Sequence, residues 1–173
     1  MVQQTIERLT VHHTARTLVD NREAPAVLRD WQEFHRGEGW PDLAYHFTID
    51  RNGHVYAGRD VRFRGDTRTS YDPAGHFLVA LEGNFEEQDP SSAQVAALVM
   101  MLAWAAATFA VGADTIAGHR AYAATACPGA ALQALIDDGS LLAAVLAAEP
   151  HQLAILPFDE GTALIAAIEA GTD

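Results

Sequence analysis

The chain has one cysteine, Cys127, and no lysine among its 173 residues. A single thiol excludes an internal disulfide framework and leaves the sulfur free for another task. All 11 basic side chains are arginines, set against 23 acids, for a net charge of −12. A phosphate backbone is held by clustered basic charge, so this balance argues against nucleic acid as a partner. No arginine follows Arg120, which leaves the last third acidic. Met1 to Thr10 is polar with no apolar centre, so no secretory leader is expected and the protein reads as cytoplasmic as synthesised. There is no internal repeat. The one long apolar run, Val95–Val111, is broken only by Thr108. Alanine is its commonest residue, and it is about one turn short of a comfortable membrane span. Pro90-Ser91-Ser92 supplies a helix start and Gly112 a stop. The run therefore predicts a core helix under a sheet, without stable membrane insertion.

What remains describes a globular domain. Apolar residues make up 49% of the chain, and its length suits one domain with a full core. Arg8–His13 is a short apolar and β-branched run that reads as a strand. Asn21–Gly37 reads as a helix, with Pro25 in its first turn and Gly37 just past its end. Val27, Leu28, Trp31 and Phe34 share one face of it and read as core. Tyr45–Ile49 and His54–Ala57 flank Asp50-Arg51-Asn52-Gly53, a strong hairpin signal. Arg59–Gly75 has no periodicity and reads as a long loop, a class of segment that often carries function. His76–Phe85 reads as a strand, Ser91–Ala110 as the central helix and Thr115–Gly118 as a brief strand. Pro128–Asp137 reads as a last core helix, broken from a further apolar segment at Gly139-Ser140. Strands and helices mix without strict alternation, which predicts an α/β (α+β) fold with a central mixed sheet covered by helices.

Chemistry concentrates in two segments, Val11-His12-His13-Thr14-Ala15 and Gly118-His119 through Cys127-Pro128-Gly129. They offer imidazoles and the only thiol. Two nitrogens and one sulfur suit a tetrahedral zinc ion whose fourth position stays open, the mark of a catalytic rather than a structural site. His12 and His13 are adjacent on a strand and point to opposite faces, so only one can face a metal. His119 and Cys127 are too far apart in sequence for one helical face and need a loop that folds back.

Two further segments accompany these: Gly39-Trp40-Pro41-Asp42-Leu43-Ala44-Tyr45-His46, running on to Arg59, and Val79-Ala80-Leu81-Glu82-Gly83-Asn84-Phe85, followed by Gln94. The four ordered motifs, spanning residues 8 to 137, resemble the type 2 N-acetylmuramoyl-L-alanine amidases. That family is related to peptidoglycan recognition proteins and to phage lysozymes of the amidase type. The resemblance implies a mixed sheet, about three principal helices and a zinc at the floor of a groove. It implies His12 rather than His13 as first ligand, with His119 and Cys127 completing the set. It implies Tyr45 as an active-site tyrosine and Thr125 as a hydroxyl beside the developing oxyanion. No His-Glu-x-x-His motif supplies a glutamate base, so the general base stays unassigned.

The expected reaction is hydrolysis of the amide between N-acetylmuramic acid and L-alanine, with peptidoglycan or a muropeptide as substrate and a monomer as the working form. A phage endolysin released through a holin pore would have this profile. A cytosolic muropeptide-recycling amidase and a non-catalytic recognition module are the alternatives. His46 is expected in the core or behind the site, His76 near the groove, and His35 and His151 on the surface. Arg59, Arg62, Arg64 and Arg68 are either a clamp for stem-peptide carboxylates or a solvated loop partnered by Asp60 and Asp66. The second reading is favoured. Trp40 and Asp42 are expected to brace the loop before Tyr45. Residues 1–148 are taken as the catalytic domain and 149–173 as an acidic C-terminal extension.

Overall fold

The computed structural model describes residues 1–173. Five strands form one mixed sheet: β1 (Arg8–His13), β2 (Phe47–Ile49), β3 (Val55–Ala57), β4 (His76–Leu81) and β5 (Ala117–Gly118), in the order β3-β2-β4-β1-β5. β1 lies parallel to both β4 and β5, and β2 parallel to β4. Only the edge strand β3 runs antiparallel. Five helices accompany the sheet: α1 (Ala24–Gly37), α2 (Ser92–Phe109), α3 (Ala130–Asp137), α4 (Ser140–Ala147) and α5 (Phe158–Ala170). α1, α2 and α3 match the three expected helices, while α4 and α5 come from the C-terminal end.

β4 is buried along its whole length and β1 almost so, because α2 covers one face of the sheet and the segment between β3 and β4 packs on the other, with Gly65 against Leu78. Alternation divides their side chains. Leu9, Val11, Phe47, Ile49, Phe77, Val79 and Leu81 join Leu98, Met101 and Leu102 of α2 in the main core. Leu18, Ala24 and Val27 form a separate, smaller cluster with Trp31 of α1. Thr10, His12, Thr48 and His76 are buried strand residues of the opposite alternation, so that face is polar where the first is oily.

Local signals explain the boundaries. The Ser91 side chain accepts from the Gln94 N–H at 3.0 Å, and the Gln94 amide accepts in return from the Ser91 N–H at 3.1 Å. This reciprocal cap starts α2. The helix stops at Ala110, which takes a left-handed conformation (φ 54°), two residues before the expected stop at Gly112. α2 is long and apolar enough to cross a membrane, but it buries Leu98, Met101, Leu102, Ala103 and Ala105 inside this domain. The hairpin turns at Asn52-Gly53, where the Asp50 carboxylate accepts from the Asn52 and His54 N–H groups, both at 3.0 Å.

Several expectations need correction: β4 ends at Leu81 and not Phe85, β5 spans only Ala117–Gly118, and α3 starts at Ala130 and not Pro128. Asn21–Glu23 is a 3-10 turn, so α1 starts at Ala24 and includes Gly37. Its buried stripe is Ala24, Val27, Leu28 and His35, whereas Phe34 is 43% exposed. His35 is thus interior and not a surface residue: it packs against Trp40, and its Nδ1 accepts the Ala44 N–H at 3.2 Å. Tyr45 and His46 precede β2 in an irregular bend: the His46 N–H still donates to the Leu78 carbonyl at 2.9 Å, but it is the His46 ring that takes the Leu78 N–H. Its Nδ1 accepts the Leu78 N–H at 2.9 Å and its Nε2 pairs with the Phe63 carbonyl at 3.0 Å.

The C-terminal extension packs on the domain as a terminal helix. Ile168 of α5 is buried, Glu169 pairs with Arg29 of α1, and Asp173 meets Asn52 and His54 at the hairpin turn. A cavity of about 420 Å³ lies between this extension and β3, lined mainly by apolar side chains such as Phe47, Val55, Ile155 and Leu164.

Candidate metal centre

The polar residues gather where the parallel strands end, at the carboxyl edge of the sheet, the usual place for a site in such a fold. β1 delivers His12 and His13. β5 delivers Gly118 and then His119, which opens a single 3-10 turn. The following loop folds back through the Arg120 N–H, which donates to the Cys127 carbonyl at 3.0 Å. Two glycines permit the close packing. A Cβ at Gly118 would meet the Gln133 amide oxygen at 2.1 Å and Pro128 at 2.7 Å. Gly129 has φ +93° and lies against the Phe85 backbone, where a Cβ would stand 2.5 Å from the carbonyl carbon.

The result brings His12, His119 and Cys127 together, all buried, with one ligand atom from each within 4.8 Å of the others. Cys127 Sγ lies 3.6 Å from His12 Nδ1. A sulfur and a nitrogen bound to one tetrahedral zinc stand roughly 3.6 Å apart, from bonds of about 2.3 and 2.0 Å. The residues present therefore fit the ion that the donor set calls for. The His12 and His119 rings are 4.6 Å apart between centroids. His119 Nε2 is engaged with Thr69 Oγ1 at 2.8 Å, which leaves its Nδ1 for the cluster. His12 Nε2 is buried without a partner.

His13 turns the other way, as strand alternation requires. Its Nδ1 accepts the Phe85 N–H at 3.2 Å, while its own backbone N–H donates to Cys127 Sγ at 3.4 Å. It serves the site through its main chain.

Burial dominates the electrostatics. It lowers His119 to about 4 and, with the repulsion that a protonated His119 would add, holds His12 well below the ordinary imidazole range. Both are neutral at pH 7, the form that can donate a lone pair to a metal. Burial also pushes the Cys127 thiol up to about 12, against the His13 N–H and the Arg120 charge, which favour the thiolate. A bound divalent cation reverses that preference.

A groove of about 360 Å³ opens above the cluster. Tyr45 and Thr125 both line it, as do Trp31, Phe34, Trp40 and Arg68. The Tyr45 ring is 5.1 Å from that of His12. Burial, with smaller contributions from Cys127 and Tyr71, raises the Tyr45 phenol above its ordinary value, so it remains a donor. Thr125 Oγ1 accepts the Cys127 N–H at 3.2 Å, which ties the hydroxyl to the ligand loop and leaves its own proton free.

The arginines do not converge as one clamp. Arg59 is buried on Asp66 at 2.6 Å, Arg62 pairs with Asp60 at 2.6 Å and Arg64 with Asp72 at 3.5 Å. Arg68 alone reaches the groove, held by Glu38 at 3.3 Å. Asp42 braces its loop through Gln32 at 2.7 Å, and Trp40 packs on His35, lining the groove as well. His76 is buried on Thr10 at 2.8 Å and lies outside the groove. Thr69 was not legible as a site residue. The only signal was its place in the aperiodic segment Arg59–Gly75.

The sequence profile of the family described as N-acetylmuramoyl-L-alanine amidase matches residues 2–130. The N-acetylmuramoyl-L-alanine amidase of Sus scrofa is 35% identical over 130 residues, which is 72% of this chain but 22% of that protein. The chain thus spans about a fifth of that relative's length. Peptidoglycan recognition protein 1 of Mus musculus is 30% identical over 137 residues, covering 77% of this chain and 75% of the relative. Among solved structures, the Drosophila peptidoglycan recognition protein SD has a TM-score of 0.71 at 30% identity, covering 79% of this chain and 84% of that one.

Proposed function

The chain belongs to the N-acetylmuramoyl-L-alanine amidase family, and from that premise we propose that it is a zinc-dependent hydrolase. Its substrate is the amide bond between the lactyl group of N-acetylmuramic acid and L-alanine in peptidoglycan or its fragments. The observation that carries this reading is the buried group of His12, His119 and Cys127, with its ligand atoms within 4.8 Å. A zinc ion held there would act as a Lewis acid and lower the pKa of a bound water to about 7.

The remaining work falls to the chain. The groove seats the substrate against Trp31, Phe34 and Trp40, whose faces suit a sugar or an aliphatic stem. Tyr45 keeps its proton at neutral pH and can donate to the carbonyl oxygen as it gains charge. Thr125 offers a second hydroxyl from the rim next to Cys127. The His13 N–H favours the thiolate against the effect of burial, and so eases the loss of the proton that the third ligand must give up. Water adds to the carbonyl carbon, the C–N bond breaks, and the leaving L-alanine nitrogen takes a proton.

The test is digestion of peptidoglycan by the purified protein, with mass spectrometry of the soluble products. Stem peptides with a free L-alanine amino terminus, lost on chelation and restored by zinc, are the expected result. Release from intact wall would support a lytic role, and activity on soluble fragments alone a recycling role. Binding to the wall without cleavage, with zinc in place, would refute the hydrolase and favour a recognition module.

A further inference from the structure

The two ligand histidines are held in different ways. His12 lies within β1, opposite Ala80 of β4 and next to Thr10 and Val11, which pair with β5, so its backbone is part of the sheet ladder. His119 follows a strand of two residues and opens a single 3-10 turn, so no ladder fixes it. Its ring is held from outside, by the segment between β3 and β4. Thr69 Oγ1 lies 2.8 Å from His119 Nε2, and the Tyr71 ring is 5.1 Å from the imidazole between centroids.

Thr69 is itself tied down. Its Oγ1 is 2.8 Å from Thr67 Oγ1, and its backbone N–H donates to the same Thr67 oxygen at 3.1 Å. The Thr69 hydroxyl has one proton to give. If that proton goes to Thr67, Thr69 accepts from His119 Nε2–H and the lone pair lies on Nδ1, facing the cluster. If it goes to His119, the Nδ1 atom carries the hydrogen and cannot bind a metal. Only the first arrangement is compatible with ligation, and the groups that hold a ligand histidine's second nitrogen tune its affinity for metal.

We infer that Thr69, backed by Thr67, is a positioning residue that holds His119 in its metal-binding tautomer and orientation. The inference rests on the zinc reading of the site and adds the long β3–β4 loop to the machinery. His12 has no such partner at its Nε2, so a single hydroxyl governs the less rigid of the two imidazoles.

The experiment compares the parent protein with Thr69→Val, Thr69→Ser and Thr67→Ala. Zinc affinity is measured by competition with a chromogenic chelator, and the His119 imidazole is followed by long-range ¹⁵N–¹H NMR. Thr69→Val, which keeps the shape and loses the hydroxyl, is expected to bind zinc about 10- to 100-fold more weakly. It should also lose the downfield, exchange-protected Nε2–H signal of His119. Thr69→Ser should restore both, and Thr67→Ala, which never touches His119, should weaken binding in the same direction but less. Parent-like zinc affinity in both Thr69→Val and Thr67→Ala would overturn the inference. So would an unchanged Nε2–H signal in Thr69→Val. A parent protein that binds no zinc overturns the metal site itself, and this inference with it.

Discussion

Glu82 follows β4 with no exposed surface, and neither of its carboxylate oxygens has a hydrogen-bond partner. Burial, reinforced by Asp50 and partly offset by Arg16, raises its pKa to about 9 from a reference of 4.5. Between those two values the native protein holds a proton that the unfolded chain has released. Native stability therefore falls as pH rises through that window, by about 1.4 kcal/mol per pH unit for this one group. At pH 7 the accumulated loss is about 3 kcal/mol, a large share of the 5–15 kcal/mol typical of a domain. Glu82→Gln replaces the protonated acid by a neutral group of the same shape with no proton to exchange. The variant should be more stable than the parent by about 3 kcal/mol at pH 7, with a melting temperature about 6–12 °C higher. The gain should fade to nearly zero as the pH is lowered to about 4.5, where the acid is protonated in both states. Urea titrations of both proteins, followed by circular dichroism at about pH 5, 6, 7 and 8, give the difference at each pH. Groups common to both proteins, the metal ligands included, cancel in that difference. A gain that is constant with pH, or a parent more stable at pH 7, would refute the reasoning.

Three predictions concern the metal centre. Cys127→Ser should abolish zinc retention and hydrolysis together, because a serine hydroxyl is a poor zinc ligand; a fully active, zinc-bound variant by metal analysis would remove Cys127 from the site. Thr125→Ala should slow turnover by about 10²–10³-fold while zinc stays bound, as for the loss of an oxyanion donor. Thr125→Ser should recover most of that rate, and steady-state kinetics with metal quantification separates the outcomes. Zinc binding at about pH 6 should release one proton, since the thiol lies at about 12 in the metal-free protein while the imidazole of His119 is already neutral. Calorimetry in buffers of different ionisation enthalpy counts it, and a count of zero would mean that the thiolate is preformed.

Much of the fold follows from local pattern. Hydrophobic runs, the Ser91–Gln94 cap and the Asn52-Gly53 turn place the central helix and the hairpin, because each signal acts over a few neighbouring residues. The local pattern misleads where a distant contact overrides it. Tyr45 and His46 have the composition of a strand, yet the His46 ring binds the β4 backbone and ends the strand short. Phe34 has the character of core, yet α1 is rotated so that His35 is buried and Phe34 faces the groove. Nothing in a helical stripe reports that one polar ring has a backbone N–H waiting for it.

By itself the sequence determined which side chains are available for chemistry, two imidazoles and one thiol in ordered motifs, and that His12 and His13 must point opposite ways. Alternation along a strand is a property of the backbone and needs no partner. Only the tertiary structure decided that β1, β5 and a folded-back loop bring His12, His119 and Cys127 within ligand range. It alone placed the His13 N–H on the thiol and Thr69 behind His119. These contacts join residues from about 50 to more than 100 positions apart, and parallel pairing of strands that are remote in the chain is what brings them together.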